Sequence, residues 1–191
     1  MRRVTPVVLL TALAAPALAG DLQVRLEAGT LRLSASRLQF LTGKPLERLR
    51  NGASVAFDIQ VSVLADSRQS ILRRSFERFV VSYDVWEERF SVTRMRSSRS
   101  SASHLTAAAA QAWCLERFSM EAGGLPDNRP LWFRLDVRAA EARDPNNDES
   151  LSLAALIELF SRPVKLSSGG QWRAESDAVV IAELRGKAAT P

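Results

Sequence analysis

Residues 54–63 read Ser-Val-Ala-Phe-Asp-Ile-Gln-Val-Ser-Val. Val55, Phe57, Ile59, Val61 and Val63 alternate with Ser54, Ala56, Asp58, Gln60 and Ser62 throughout. A helix cannot put every second residue on one face, whereas a strand does so by its pleat. The segment predicts a long strand with one apolar face. That face has to be covered by another layer, so the rest of the chain must supply a partner sheet or helices.

Other segments repeat the pattern. Leu22, Val24, Leu26 and Ala28 alternate with Gln23, Arg25 and Glu27, and Gly29-Thr30 suits a tight hairpin turn, because glycine accepts positive φ. Leu31, Leu33 and Ala35 resume the alternation, with Leu38 and Phe40 beyond. Pro45 suits the first turn of a short helix with Leu46 and Leu49 on one face, and Asn51-Gly52 ends it. Residues 71–84 predict a strand whose apolar face is Phe79, Val81 and Tyr83. Its start, Arg73 to Glu77, breaks the register and predicts a bulge or an edge. The chain reverses at Trp86-Glu87-Glu88 and returns through Phe90 and Val92.

The polar link 96–103 reads as a loop, with Ser103 capping a helix that runs to Phe118. Leu105, Ala108, Ala112, Leu115 and Phe118 form its stripe. Leu131, Phe133, Leu135 and Val137 mark a further strand. An acidic loop at 144–150, a short helix at 151–160, an irregular stretch at 164–172 with room for a short strand, and a last strand at 178–184 follow. No helices separate the strands between residues 53 and 95, which argues for antiparallel pairing. The expected fold is mainly β, an antiparallel β-sandwich or partly open barrel of about six to eight strands with two or three short helices.

The N-terminus has the order of a secretory signal: Arg2 and Arg3, an apolar run from Val4 to Leu13, and Ala17-Leu18-Ala19 as a small-residue cleavage site. The apolar run is shorter than the roughly 20 residues that cross a bilayer, and Pro16 breaks it. The expected organisation is a signal peptide at 1–19, a single β-rich domain at 20–185 and a disordered tail at 186–191. The product would be exported, periplasmic or secreted, with no transmembrane segment in the mature chain. The full chain carries a net charge of +5, which loss of Arg2 and Arg3 lowers to +3. This mild excess names no partner. The bases are nearly all arginine, Lys44, Lys165 and Lys187 excepted.

Cys114 is the only cysteine and His104 the only histidine. One cysteine forms no internal disulfide, and the pair provides no zinc site of the usual ligand types. Cys114 sits among Ala112, Trp113 and Leu115 and reads as a buried thiol. Both residues fall on one expected helix, ten apart and nearly three turns distant, so they are not a catalytic pair. Asp144 to Glu149 offers oxygen ligands but lacks the glycine and the distant glutamate of a calcium loop, and reads as an acidic turn. Glu87 and Glu88 are adjacent, so on a strand they face opposite ways. There is no G-x-S-x-G, no phosphate loop and no metal-ligand cluster. No catalytic residue, cofactor or metal is assigned.

Residues 68–99 hold eight arginines against four carboxylates, with aromatics interleaved. Arg74, Arg78, Arg89 and Arg94 are the candidate basic binding face. The alternative is a solvated edge, its arginines guarding against strand pairing or facing Glu77, Asp84 and Glu88. For an exported chain, anionic lipid, polysaccharide or an acidic protein surface suits such a face better than nucleic acid. The expected function is a non-catalytic envelope domain that binds another protein through a sheet edge or face. The alternative is a carrier of a lipophilic or anionic ligand, lined around Phe57, Ile59, Phe133 and Leu135.

The order of features resembles an uncharacterised family of exported bacterial proteins, domain of unknown function 4390. The features are the leading hairpin, Pro45-Leu46-x-x-Leu49 with Asn51-Gly52, the long strand from Val55, and Phe79-Val80-Val81-Ser82-Tyr83-Asp84 with its return through Arg89-Phe90. The helix near Ala112, the strand from Leu131 to Val137, and Leu156 through Phe160 to Trp172 complete it. The likeness covers residues 22 to about 173, and departs at 97–103, at 144–149 and beyond Trp172. It carries over no functional residues. Such genes are often found beside two-component sensor kinases, so the resemblance implies an envelope role.

Overall fold

The computed structural model describes residues 21–95, 100–141 and 170–188. The expected N-terminal signal, the expected acidic loop and the helix expected at 151–160 lie outside them. In chain order the elements are β1 (Gln23–Glu27), β2 (Thr30–Ser34), α1 (Gly43–Arg50), β3 (Val55–Ala65), β4 (Ser70–Asp84) and β5 (Arg89–Arg94). Then come β6 (Ser100–Leu105), α2 (Ala107–Arg117), β7 (Met120–Glu121), β8 (Trp132–Glu141), β9 (Gln171–Glu175) and α3 (Ile181–Ala188). All pairings are antiparallel. One sheet has the order β1-β2-β7 and the other β6-β5-β4-β3-β8-β9. The chain is mainly β and sandwich-like, and the sheets do not close into a barrel.

The core lies between the two sheets. Val55, Phe57, Ile59, Val61 and Val63 of β3 join Phe79 and Val81 of β4, Phe133, Leu135 and Val137 of β8, and Leu26, Leu31 and Leu33 of the small sheet in one buried cluster. Each large apolar side chain removed from water contributes about 1.5–3 kcal/mol. Helix α1 packs on β3 and β4, α2 on β2, β5 and β6, and α3 on β1. Side chains also tie the layers. Gln111 Oε1 of α2 accepts from the backbone N–H groups of Phe40 and Leu41, at 2.5 and 3.0 Å. Arg73 donates to the Glu121 and Gly123 carbonyls, both at 2.7 Å. Gly124 (φ +76°) leaves room for that arginine, whose Nη2 would be 3.2 Å from an added Cβ.

Strand β3 departs from the expectation of one apolar face. Its even residues are buried too, Asp58 at 0%, Ser62 at 3% and Gln60 at 6% exposure. It is flanked by β4 and β8, so its backbone pairs on both sides. The irregularity expected at Arg73 to Glu77 falls one residue earlier: Val63 pairs with Arg73 and Leu64 with Ile71, leaving Leu72 as the extra residue of a bulge, while Arg73 to Glu77 pair with β3 in unbroken register.

Four local expectations are corrected. The β1–β2 turn is Ala28-Gly29, both with positive φ, as a two-residue hairpin with the sheet's twist requires. Residues 100–103 of the serine-rich link form β6 rather than a loop, together with His104 and Leu105, both expected on the helix; the strand pairs with β5. The cap of α2 is Thr106, not Ser103: its hydroxyl accepts from Ala109 N at 3.2 Å. Residues 181–188 are helix α3 instead of the end of a strand. Only Val179 makes a bridge, to Leu131, and the helix carries the chain through Gly186 instead of ending in a tail there. Thr106→Ala is expected to lower the unfolding free energy by about 1 kcal/mol in urea titration, the usual worth of a helix N-cap. Ser103→Ala should leave it unchanged.

Candidate functional site

Directly opposed residues of antiparallel strands share a face. The register therefore lines up three rows on the side of the large sheet turned away from the core. These are Arg78–Asp58–Arg138, then Phe76–Gln60–Asp136–Arg173, then Arg74–Ser62–Arg134–Glu175. Five arginines meet three carboxylates there. Arg78 grips Asp58 with two bonds, Nε–Oδ1 at 2.5 Å and Nη2–Oδ2 at 2.8 Å. Arg173 Nε donates to Asp136 Oδ1 at 2.7 Å and Arg134 Nε to Glu175 Oε1 at 2.6 Å. Arg138 lies between Asp58 and Asp136. Burial lowers its pKa, the two aspartates raise it, and Arg173 lowers it further. The Nε of Arg74 is buried without a hydrogen-bond partner.

The four arginines of the candidate basic face do not gather into one cluster. Arg74 and Arg78 belong to this ion lattice. Arg89 pairs with Asp84, six residues along β4 from Arg78, which at the strand rise is about 20 Å away. Arg94 pairs with Phe79 and lies on the core side. There it donates to Glu77 through Nε and Nη2, at 3.1 and 2.7 Å. That pair is nearly closed off from water, with side-chain exposures of 14% and 2%. The alternation of Asp58-x-Gln60-x-Ser62 and Arg134-x-Asp136-x-Arg138 on two strong strands was the available signal for the lattice. Reading residues 68–99 alone hid it.

The second feature is the far end of the β4–β5 hairpin. Asp84 Oδ1 accepts from Trp86 N at 2.8 Å and Glu87 N at 3.0 Å, folding the tip over its own carboxylate. Trp86 is left 96% exposed and Val85 55% exposed. His104 Nδ1 of the adjoining β6 lies 2.8 Å from Glu87 Oε2. So His104 stands on a strand beside the tip, not on the helix of Cys114. Cys114 is buried in α2, and burial pushes its thiol pKa far up, away from the reactive thiolate. Strand β6 ends the large sheet, and among the described residues nothing pairs with its outer side.

No group of three or more histidine, cysteine, aspartate or glutamate residues among those described is placed to hold a metal. No helix among them is long and apolar enough to cross a membrane. Fold and surface thus define a two-sheet antiparallel β domain with an ion-laced outer face and, among the described residues, an unpaired sheet edge at β6. No protein-family model, curated protein or solved structure matches the chain.

Proposed function

We propose that the chain is an exported, non-catalytic binding domain that takes an extended segment of another envelope protein onto the outer edge of β6. The observation that carries this reading is the chemistry of that edge. Ser100-Ser101-Ala102-Ser103-His104-Leu105 contains no lysine, arginine, acid or proline, the residues that normally blunt an exposed strand. Its side chains are mostly small, so an added strand can approach and form main-chain hydrogen bonds. Trp86, beside the end of β6, gives that strand an aromatic anchor of the kind that dominates interfaces. The signal-like N-terminus and the resemblance to domain of unknown function 4390 support an envelope setting. A lipophilic carrier draws less support: Phe57, Ile59, Phe133 and Leu135 are each 0% exposed within the core cluster.

The test is cross-linking of the tagged full chain in envelope extracts, with the wild type compared against a Ser101→Lys/Ser103→Lys variant. Both serines are exposed, and charges there guard the edge without touching the core. A specific cross-linked product should weaken by about tenfold or more in the variant, and also in Trp86→Ala. A Gln23→Lys control on the other sheet should behave as wild type. Recovery of the chain alone, or equal capture by wild type and edge variant, would sink the proposal.

A further inference from the structure

Arg25 and Arg32 stand directly opposite one another across the β1–β2 hairpin, on the same face. Like charges in that position destabilise a sheet. Arg32 is partly relieved: its Nε lies 3.6 Å from Glu27 Oε2, and its Nη1 donates to the Glu116 carbonyl at 3.1 Å. Arg25 is exposed and makes no ion pair or hydrogen bond through its side chain among the described residues. A third guanidinium, Arg117, comes from the last turn of α2, where its Cζ sits 5.4 Å over the Trp113 ring. All three line one cleft of about 430 Å³, with Ser34 and Trp113 among its walls and Glu27 and Glu116 as its acids.

We propose that this cleft binds a small phosphorylated molecule, its phosphate held among Arg25, Arg32 and Arg117. Three guanidiniums exceed the two carboxylates, and of the two set against each other Arg25 is the less compensated. A dianionic phosphate would remove that repulsion and accept forked N–H donors whose geometry matches its oxygens. The Ser34 hydroxyl adds a further donor, and Trp113 offers an apolar wall for the uncharged part of the ligand. The cleft is on the hairpin of the small sheet, so the inference is independent of the β6 edge.

The experiment melts the full chain in inorganic phosphate and in chloride at equal ionic strength, and measures phosphate affinity by calorimetry. The wild type should gain melting temperature in phosphate over chloride. Arg25→Gln should melt at or above the wild type in chloride, because the repulsion is gone, and gain little from phosphate. Its affinity for phosphate, and that of Arg117→Gln, should fall by about tenfold or more, as for loss of a charge-assisted bond. Three results overturn the proposal: no phosphate-specific gain in the wild type, an equal gain in Arg25→Gln, or an Arg25→Gln protein that melts lower in chloride. Citrate tests the ligand chemistry. A response equal to that of phosphate marks a general anion site and overturns the phosphate assignment.

Discussion

Replacing Glu77 by alanine is expected to cost roughly 3 to 5 kcal/mol of unfolding free energy, the usual penalty for stranding one partner of a buried ion pair. Arg94 would keep its charge at 14% side-chain exposure, on the core side of the sheet, with its bidentate acceptor gone. Replacing both partners, Glu77→Leu with Arg94→Leu, should recover most of the loss, because the desolvation of two charges disappears with them. Urea titration of the wild type, the single variant and the double variant checks both statements. A Glu77→Ala loss below about 1 kcal/mol would place the pair with solvent-screened surface bridges.

Phe57→Ala should be comparably severe, at about 4 kcal/mol, the range measured for large-to-small changes in a packed core. The Phe57 ring is 0% exposed, 5.1 Å from the Phe40 ring centroid and 6.3 Å from that of Trp172. It holds together three separate pieces of chain: β3, the segment after β2, and β9. Thermal and urea unfolding measure the total. If the surroundings collapse onto the vacated space, the loss falls towards the transfer term alone, about 2 kcal/mol, and the core is softer than its burial implies.

The strands that could be read from the sequence are those whose burial is one-sided or central. β1, β3 and the first part of β8 alternate cleanly because their inward residues are apolar, β5 does so through Phe90 and Val92 before Arg94 breaks the set, and the bulge in β4 lies one residue before the break in that rhythm. β6 was not legible. As an edge strand it is ordered by hydrogen bonds to β5, and its serines bury too little apolar surface to leave a period of two. The segment before and into α3 carries Val179, Val180 and Ile181 in a row, and so short an apolar run fits a strand or a helix equally. Only the bridge from Val179 to Leu131 and the burial of Ile181 separate the two. The site was legible as residue types and not as pairings. Glu77 was named as a partner for the arginines and does hold Arg94, but Asp58, which holds Arg78, lies outside the window of sequence in which partners were sought.

The strand order also sets a timetable. β3, β4, β5 and β6 are consecutive in the chain, so this meander can assemble from neighbouring segments. β8, which covers the other side of β3, follows only after α2 and β7. Until it docks, β3 is an open edge with five large apolar side chains in alternation, the kind of surface on which unfinished chains stick to one another. Asp58 stands in the middle of that edge. In the finished protein it is an ion-pair partner; in the half-assembled chain it is the one charge that an intruding strand would have to bury.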